Sequence, residues 1–170
     1  MCDAVGMIRT EPVGVGAERE QLGGFLDFLR ETVVLKCAGL TDEQARRRLV
    51  PSELTTIAGL VGHLTYVEHH WFEVVLAGGP SRWSAKLDLD RDADFRAALT
   101  VPLADLVAAY CAQCAISREI AAGLALDAEV SLRGGSVNLR YVLIHMVEET
   151  GRHAGHLDLL RELIDGETGE

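Results

Sequence analysis

The sequence predicts an all-α protein, a four-helix bundle with short extra helices in its connections. Four long segments carry apolar residues at intervals of three and four, which is the spacing of a helix with one buried face. No segment shows convincing strand alternation, and the connections are of moderate length. At 170 residues the chain is long enough for one sizeable core and too short for two comfortable ones. These observations predict a single helical domain.

The first long helix is predicted over residues 17–36, where apolar side chains recur at helical spacing. Gly23 and Gly24 interrupt this pattern and mark a weak point, since glycine destabilises a helix interior. The next element begins with a capping box, in which Thr41 stands at the N-cap and Gln44 three residues later. This pattern predicts a short helix directly after Thr41.

The second and third long helices are predicted from their start and stop signals. The second covers residues 51–76, and the glycines and proline of residues 78–80 end it. The third begins at Thr100 or Asp105 and continues to about Leu124, in a segment rich in Ala and Leu. Both segments contain enough apolar residues to bury one face.

Two polar connections and the last helix complete the chain. Residues 81–100 contain a D-x-D-x-D-x-D run that lacks the glycine and distal glutamate of an EF-hand loop, so we expect a solvated connection with one short helix near Phe95. Residues 127–138 are rich in turn residues. Residues 141–163 then form the fourth and most strongly patterned helix.

The fourth helix carries a polar stripe beside its apolar one. At about 100° per residue, five side chains project within one arc of roughly 100°. Glu149 and His153 are four residues apart, so their side chains meet one turn apart and can close on one divalent cation. A solvated ion pair is the alternative for such a spacing. The members of the stripe are His145, Glu149, Arg152, His153 and His156.

A third metal ligand has to come from elsewhere, and the sequence offers His63. It lies within the apolar run IAGLVGHLTYVEHHWFEVVL, where an imidazole is costly unless it is hydrogen-bonded or ligated. His70 shares the helix face of His63 and is expected near the same pocket. His69 projects to another side, and we expect it on the surface.

Composition excludes several classes of function. The formal net charge of −10 and pI near 5.0 argue against nucleic-acid binding, which requires a basic face. The mean hydropathy is +0.14, and no uninterrupted apolar run reaches the length of a transmembrane helix. Neither a nucleic-acid partner nor a membrane partner is therefore expected.

The N-terminus and the cysteines indicate a cytoplasmic protein. Residues 1–16 read as a loose leader rather than a signal peptide, residues 17–166 as one domain and residues 167–170 as a polar tail. The four cysteines are scattered, which is not typical of a disulfide framework. Cys111 and Cys114 form a C-x-x-C without a βαβ pattern, so we interpret them as small buried helix residues.

Two motifs together resemble a known family. The segments PSELTTIAGLVGHLTYVEHHWF and LRYVLIHMVEETGRHAGHLDLLREL look like the DinB-like superfamily of metal-binding four-helix bundles. The likeness is to its actinobacterial branch, which includes mycothiol-dependent S-transferases and is related to mycothiol-dependent maleylpyruvate isomerase. It covers about residues 17–166. Each motif alone is weak, and the combination is fairly specific.

The resemblance implies a metal site, a cosubstrate and an assembly. Family members hold a divalent metal with one His of the second helix and an i,i+4 pair of the last helix. Carried over by position, the ligands are His63, Glu149 and His153. The Glu/His pair resembles the thiol-dependent isomerase pattern and departs from the all-His version. Zinc is the expected metal, with Ni²⁺ or another divalent ion as alternatives, mycothiol is the implied thiol, and a homodimer is the implied assembly.

The leading hypothesis is a metal-dependent transferase that conjugates a low-molecular-weight thiol to an electrophilic small molecule. His145, Arg152 and His156 flank the ligands and could orient them, accept protons or contact the cosubstrate. His156 could instead join Asp158 and Arg161 in an interhelical hydrogen-bonding group.

Two other functions stay open at the level of the sequence. One is a non-catalytic, stress-associated metal-binding protein, for which a closed site with His70 or His145 as fourth ligand would be evidence. The other is a thiol-dependent isomerase of a small dicarboxylate, which would need Arg140 or Arg152 as a cationic anchor.

Overall fold

A computed structural model describes residues 9–132 and 134–168, and these fold into an all-α bundle, as predicted. Long helices form the bundle, and short helices and one β-hairpin lie in the connections. The elements are α1 (Glu18–Cys37), α2 (Asp42–Ala45), α3 (Ile57–Glu68) with a π-helical continuation (His69–Leu76), α4 (Ser84–Leu89), α5 (Ala93–Ala98), α6 (Leu103–Ala122), β1 (Glu129–Leu132), β2 (Gly135–Asn138) and α7 (Leu139–Asp165).

The four long helices form a ring around the core. Helix α7 packs against α1 and α3, and α6 packs against α3 and closes the ring onto α1. Short helix α5 packs on the outside of α3. Among the described residues, no helix is long and apolar enough to cross a membrane. The arrangement brings α3 and α7 side by side, and these two helices carry all three predicted metal ligands.

Helix α1 runs without a break through Gly23 and Gly24. Before it, residues 9–16 are irregular and lie along α1, where the Thr10 N–H donates to the Glu31 carboxylate at 2.8 Å. Residues 1–8 of the predicted leader and residues 169–170 of the predicted tail lie outside the described residues.

Helices α2 and α3 each begin at a threonine whose side chain caps the first turn. The capping box of α2 is confirmed, because the Thr41 hydroxyl accepts from the Gln44 N–H while the Gln44 side chain accepts from the Thr41 N–H. Helix α3 begins later than predicted, at Ile57, and the Thr56 hydroxyl accepts from the Gly59 N–H. Thr56 is therefore the N-cap of α3, and residues 51–55 before it form turns.

The predicted turn-rich connection before α7 contains a short antiparallel β-hairpin. Glu129 pairs with Asn138 at its open end, and Leu132 pairs with Gly135 beside the turn. Gly134 has a φ of 82°, a conformation that favours glycine. The prediction of turns alone missed both strands, although β1 (EVSL) alternates polar and apolar residues over four positions, the shortest length at which this pattern indicates a strand. Asn138 ends the hairpin and caps α7 by accepting from the Tyr141 N–H.

Candidate metal centre

The donor atoms of His63, Glu149 and His153 converge between α3 and α7. The His63 Nε2 lies 3.3 Å from the Glu149 Oε1, and the His153 Nε2 lies 3.2 Å from the same oxygen. One donor atom from each residue falls within 4.8 Å of the other two. The structure therefore brings together the three residues that the sequence analysis selected as ligands.

Helix geometry explains why these side chains meet. Glu149 and His153 are one turn apart on α7, which runs without interruption from Leu139 to Asp165. His63 lies on α3, whose other side chains are mostly buried, and its face is turned towards α7. Glu149 and His153 are only four residues apart in the sequence, whereas His63 precedes Glu149 by 86 residues. The packing of α3 against α7 therefore brings the three donors together.

Asp94 forms a hydrogen bond with the His63 ring at the nitrogen that does not face Glu149. The sequence analysis missed this residue. Its Oδ2 lies 2.6 Å from the His63 Nδ1, and only 2% of the residue is exposed. A carboxylate on Nδ1 fixes the ring orientation and directs Nε2 towards a ligand. The signal that could have found Asp94 is its helical spacing with Ala98, which makes it the one aspartate of the D-x-D run on an apolar face.

Gly62 allows α5 to bring Asp94 to this position. A Cβ at Gly62 would lie 2.5 Å from the Cβ of Ala98 and 3.2 Å from the carbonyl oxygen of Asp94. Only glycine therefore permits such close approach of α5 to α3. Phe95 of the same short helix stacks on the His63 ring, with centroids 4.3 Å apart.

Hydrogen bonds set the charges of the cluster. Those from His153 and then from His63 lower the pKa of Glu149 well below its usual range, against the opposing effect of burial. Burial lowers the pKa of His63, but hydrogen bonds to Asp94 and Glu149 outweigh it and the net pKa is raised. Without a metal, the imidazole proton of His63 can therefore neutralise part of the carboxylate charge.

The donor set fits a divalent cation. It consists of two imidazole nitrogens and one carboxylate oxygen, the ligand types that zinc accepts. The side chains of His63, Glu149 and His153 are 17%, 14% and 13% exposed, so the cluster borders solvent. A cation held by these three residues would have room for a further ligand on the side that borders solvent.

The three residues that the sequence analysis placed beside the ligands, His145, Arg152 and His156, differ in their surroundings. His156 contacts a ligand, since its Nδ1 lies 3.3 Å from the Nδ1 of His153. Burial, followed by the charges of His153 and Arg152, lowers the pKa of His156. Arg152 is exposed and bonded to Glu148, and its NH1 lies 4.0 Å from the Glu149 Oε2. His145 lies outside the cluster, and its ring packs against Trp71 at 4.6 Å.

The alternative hydrogen-bonding group of His156, Asp158 and Arg161 forms only in part. Asp158 pairs with Lys36 at 2.9 Å, and Arg161 donates to the backbone carbonyl of Ala38 at 2.7 Å. Both interactions tie α7 to the end of α1. His156 takes no part in them among the described contacts, because its partner is His153.

The expectation that His69 lies on the surface is wrong. The residue is 1% exposed; its Nδ1 lies 3.0 Å from the Glu73 Oε1, and its Nε2 accepts from the Arg82 backbone N–H at 3.1 Å. The residue is buried because the side of the helix from which it projects is covered by the chain at Arg82 and by α6. His70 is half-buried, and its ring lies 5.8 Å from that of Tyr66.

The C-x-x-C residues are helix residues on α6, as interpreted from the sequence. Cys114 is buried and Cys111 half-buried, and neither forms a disulfide bond. Burial raises the pKa of the Cys114 thiol far above its usual range, and that of Cys37 to about 12. Such thiols stay protonated at neutral pH, which argues against a thiolate role for either. Cys2 lies outside the described residues.

The predicted dicarboxylate anchors already have carboxylate partners. Arg140 is bonded to Glu18 of α1 at 2.5 Å, and Arg152 is bonded to Glu148 on its own helix. Both side chains are on the surface of α7.

Comparison with known proteins identifies one family that matches most of the chain. The family model described as Mycothiol-S-transferase matches residues 21–166. This range includes the four long helices and all three donor residues, apart from the first turn of α1. A search of curated proteins finds no match. Since the match spans most of the sequence, the chain belongs to the mycothiol S-transferase family, within the DinB-like superfamily.

Proposed function

We propose that this protein is a metal-dependent transferase that joins mycothiol to an electrophilic small molecule at the His63, Glu149 and His153 cluster. The convergence of these three donor atoms within 4.8 Å carries the proposal. Membership in the mycothiol S-transferase family supports the thiol and the reaction class. Zinc is the metal we favour, because two imidazoles and one carboxylate with an open side are typical of catalytic zinc sites.

The chemistry follows from the charges and the open side of the cluster. His63, Glu149 and His153 would hold a divalent cation, which would lower the pKa of a bound thiol and keep it as a thiolate at neutral pH. Asp94 and His156 position the rings of His63 and His153 through their Nδ1 atoms. The sulfur then forms a bond to the electrophilic carbon, the leaving group departs with its electron pair, and the thiol proton passes to solvent at the exposed side.

Metal analysis tests the ligand assignment. Purified wild-type protein should contain about one divalent ion per chain, whereas His63→Ala and His153→Ala should contain little. His70→Ala is the matched control, because His70 lies in the π-helical continuation of α3 and outside the donor group. Full occupancy in both ligand variants would refute the assignment.

A conjugation assay tests the reaction. Mycothiol and monobromobimane should react faster with wild-type protein than without it, and the acceleration should vanish after metal removal and return on adding zinc. Bacillithiol and glutathione serve as comparison thiols. Absence of turnover with all three thiols would overturn the proposed transferase.

Two observations favour the transferase over its alternatives. Among the described residues, neither His70 nor His145 joins the donor group, so the closed four-ligand site of a non-catalytic protein has no support. Arg140 and Arg152 are each engaged by a glutamate, so a dicarboxylate would have to displace an existing partner. The homodimer and the cytoplasmic location stay predictions.

A further inference from the structure

A crevice separates α1 from α6 on the side of the helical ring opposite the metal centre. The metal centre lies between α3 and α7, and α1 and α6 form the opposite seam. The crevice has two chambers of about 170 and 190 Å³, and Arg30 and Arg118 line both of them. The described residues that line them include none of the three metal donors. The proposed function therefore makes no use of this cavity.

The larger chamber stays open because the residues beside it are small. Gly23 of α1 and Ala121 of α6 line it, and a Cβ at Gly23 would have no atom within 4 Å. Arg19 of α1 donates to the Ala121 carbonyl oxygen at 2.9 Å. Arg118 of α6 donates to the Asp27 carboxylate of α1 at 2.9 Å. Long side chains thus join the two helices, and the small residues between them leave the chamber unfilled.

The larger chamber combines an apolar wall with one unsatisfied hydroxyl. Leu26, Phe72 and Leu143 line it, and all three belong to the hydrophobic core. Ser117 lines it as well and is 0% exposed, and its hydroxyl has no hydrogen-bond partner among the described residues. A buried hydroxyl without a partner is unfavourable. This position therefore favours a ligand that supplies a hydrogen-bond acceptor.

One positive charge at the larger chamber has no carboxylate to neutralise it. Arg30 is paired with Glu68, and Arg118 is paired with Asp27. The third arginine that lines the chamber, Arg19, has two backbone carbonyls at the end of α6 as its acceptors among the described contacts. In a chain with a formal net charge of −10, an arginine left without a carboxylate beside a cavity favours an anionic ligand.

We infer that the larger chamber binds a small monocarboxylate whose apolar body is about the size of a benzene ring. The carboxylate accepts from the Ser117 hydroxyl, and the apolar body lies against the core residues of the wall. Ala121, which binds Arg19, follows Ser117 by one helical turn, about 6 Å along the axis. This distance is within the screening length of about 8 Å in physiological salt, so Arg19 attracts the bound carboxylate.

The volume of the chamber suits such a ligand. An apolar cavity of about 150 Å³ accepts benzene. The chamber of about 190 Å³ therefore has room for one ring and a carboxylate. The inference is independent of the proposed function, because the crevice and the metal centre lie on opposite seams.

Titration with 4-fluorobenzoate, followed by fluorine NMR, tests the inference. The metal-loaded protein should bind it saturably, and the dissociation constant should stay the same after metal removal with a chelator. 4-Fluorobenzamide has the same shape without the charge and should bind about 10-fold more weakly, since hydrogen bonds to a charged acceptor are about twice as strong. 4-Fluorobenzylamine is a cation and should not bind. Arg19→Gln should weaken binding of the acid and leave that of the amide unchanged.

Two substitutions locate the binding in the larger chamber. Ser117→Ala should weaken binding of 4-fluorobenzoate about 10-fold, the effect of losing one hydrogen bond to a charged group. Thr150→Val is the matched control, because Thr150 is also 0% exposed with an unpartnered hydroxyl but lines neither chamber. Gly23→Leu should fill the chamber and abolish binding while α1 is retained, because leucine forms helices better than glycine. Circular dichroism checks that each variant is folded.

Four results would each overturn the inference. No saturable binding by the wild type would mean that the crevice holds water only. Loss of binding on metal removal would assign the carboxylate to the metal centre. Equal affinities of Ser117→Ala and Thr150→Val, or of the acid and the amide, would remove the hydroxyl or the charge from the site. Failure of the conjugation assay, by contrast, refutes the proposed transferase and leaves the carboxylate site in place.

Discussion

Two clusters of charged and polar side chains, each with one residue on α3, differ in the atoms that they leave available for chemistry. Arg30 of α1 and Glu68 of α3 form one of them, and the donor cluster of His63, Glu149 and His153 is the other. Both are removed from bulk water to a large extent. Arg30 and Glu68 satisfy each other, whereas the donor cluster directs nitrogen and oxygen lone pairs at one point.

The Arg30 and Glu68 pair is closed. Nε and NH2 of Arg30 donate to the two carboxylate oxygens at 2.7 Å each, and the side chains are 5% and 0% exposed. Burial disfavours the charged guanidinium, but Glu68 outweighs this effect and raises the pKa of Arg30. A guanidinium has no lone pair for a metal, so this cluster can only stabilise the fold.

The donor cluster is held by partners that leave its ligand atoms usable. Asp94 and His156 occupy the Nδ1 atoms of His63 and His153, and the Nε2 atoms face Glu149. Neutral imidazole and carboxylate both offer lone pairs to a cation. The comparison teaches that the hydrogen-bonding capacity of the residue types, more than burial, separates a structural pair from a binding site.

Arg30→Met is expected to have the largest effect on the fold. It leaves Glu68 fully buried without its cation, and such a loss costs about 3–5 kcal/mol in the free energy of unfolding. Urea denaturation followed by circular dichroism measures this. The double variant Arg30→Met/Glu68→Leu should recover most of the stability, because an apolar pair of similar volume has no charge to desolvate. A double variant as unstable as the single one would contradict this account.

Glu149→Gln is expected to have the largest effect on metal binding. It removes the one anionic donor of the three. Loss of a residue that only supports a ligand lowers metal affinity by up to about 100-fold, so the loss of this ligand should lower zinc affinity by more than that. Competition with a chromophoric chelator measures the dissociation constant. Glu148→Gln is the control, since Glu148 is the exposed neighbour that binds Arg152. Equal affinities of the two variants would remove Glu149 from the ligand set.

Asp94→Asn is expected to have an intermediate effect. The amide can still contact His63 but no longer stabilises it as a carboxylate does, so zinc affinity should fall about 10-fold to 100-fold. Asp92→Asn is the matched control, because Asp92 is two residues away and half-exposed. The same chelator competition measures both. An unchanged affinity in Asp94→Asn would show that Asp94 does not support the site.

The pH dependence of the metal-free protein is expected to be the smallest effect. The pKa of His63 is raised above its ordinary value of 6.5, so its contribution to stability is complete below that value and is lost as the pH rises through the folded pKa. The lowered pKa of Glu149 acts in the opposite direction, and its contribution is lost only in acid. The melting temperature should therefore fall by a few degrees above about pH 6.5, where about 1 kcal/mol corresponds to 2–4 °C.

His63→Gln supplies the control for the pH experiment. It removes the titrating imidazole, so the decrease in melting temperature above neutral pH should shrink. Zinc should oppose the decrease in the wild type, since deprotonation of His63 frees its Nε2 for the metal. A decrease of the same size in both proteins would assign it to other groups.

Much of the fold could be predicted from patterns within single helices. The i,i+4 spacing of Glu149 and His153, the capping box at Thr41 and the helical period of α7 are local, and all three are found in the structure. The predicted surface position of His69 failed because Arg82 and α6 cover that side of the helix, and a projection along a single helix contains no information on such contacts.

The partner of His63 could not be predicted in the same way. Asp94 lies 31 residues further along the chain, and its helical spacing with Ala98 indicates a buried face but not which helix that face contacts. Only the packing of α5 on α3, which the absence of a side chain at Gly62 permits, brings Asp94 to His63. The strand pairing of the hairpin was missed for a related reason, because four-residue strands are defined by their partner.

The sequence by itself determined the helices, their apolar faces and the types of donor atom, because these depend on residues within one or two turns of each other. The tertiary structure decided which helices are neighbours and that Asp94 holds His63. Contacts between helices depend on side-chain volumes and packing across the whole core, and the spacing of residues along one helix does not encode them.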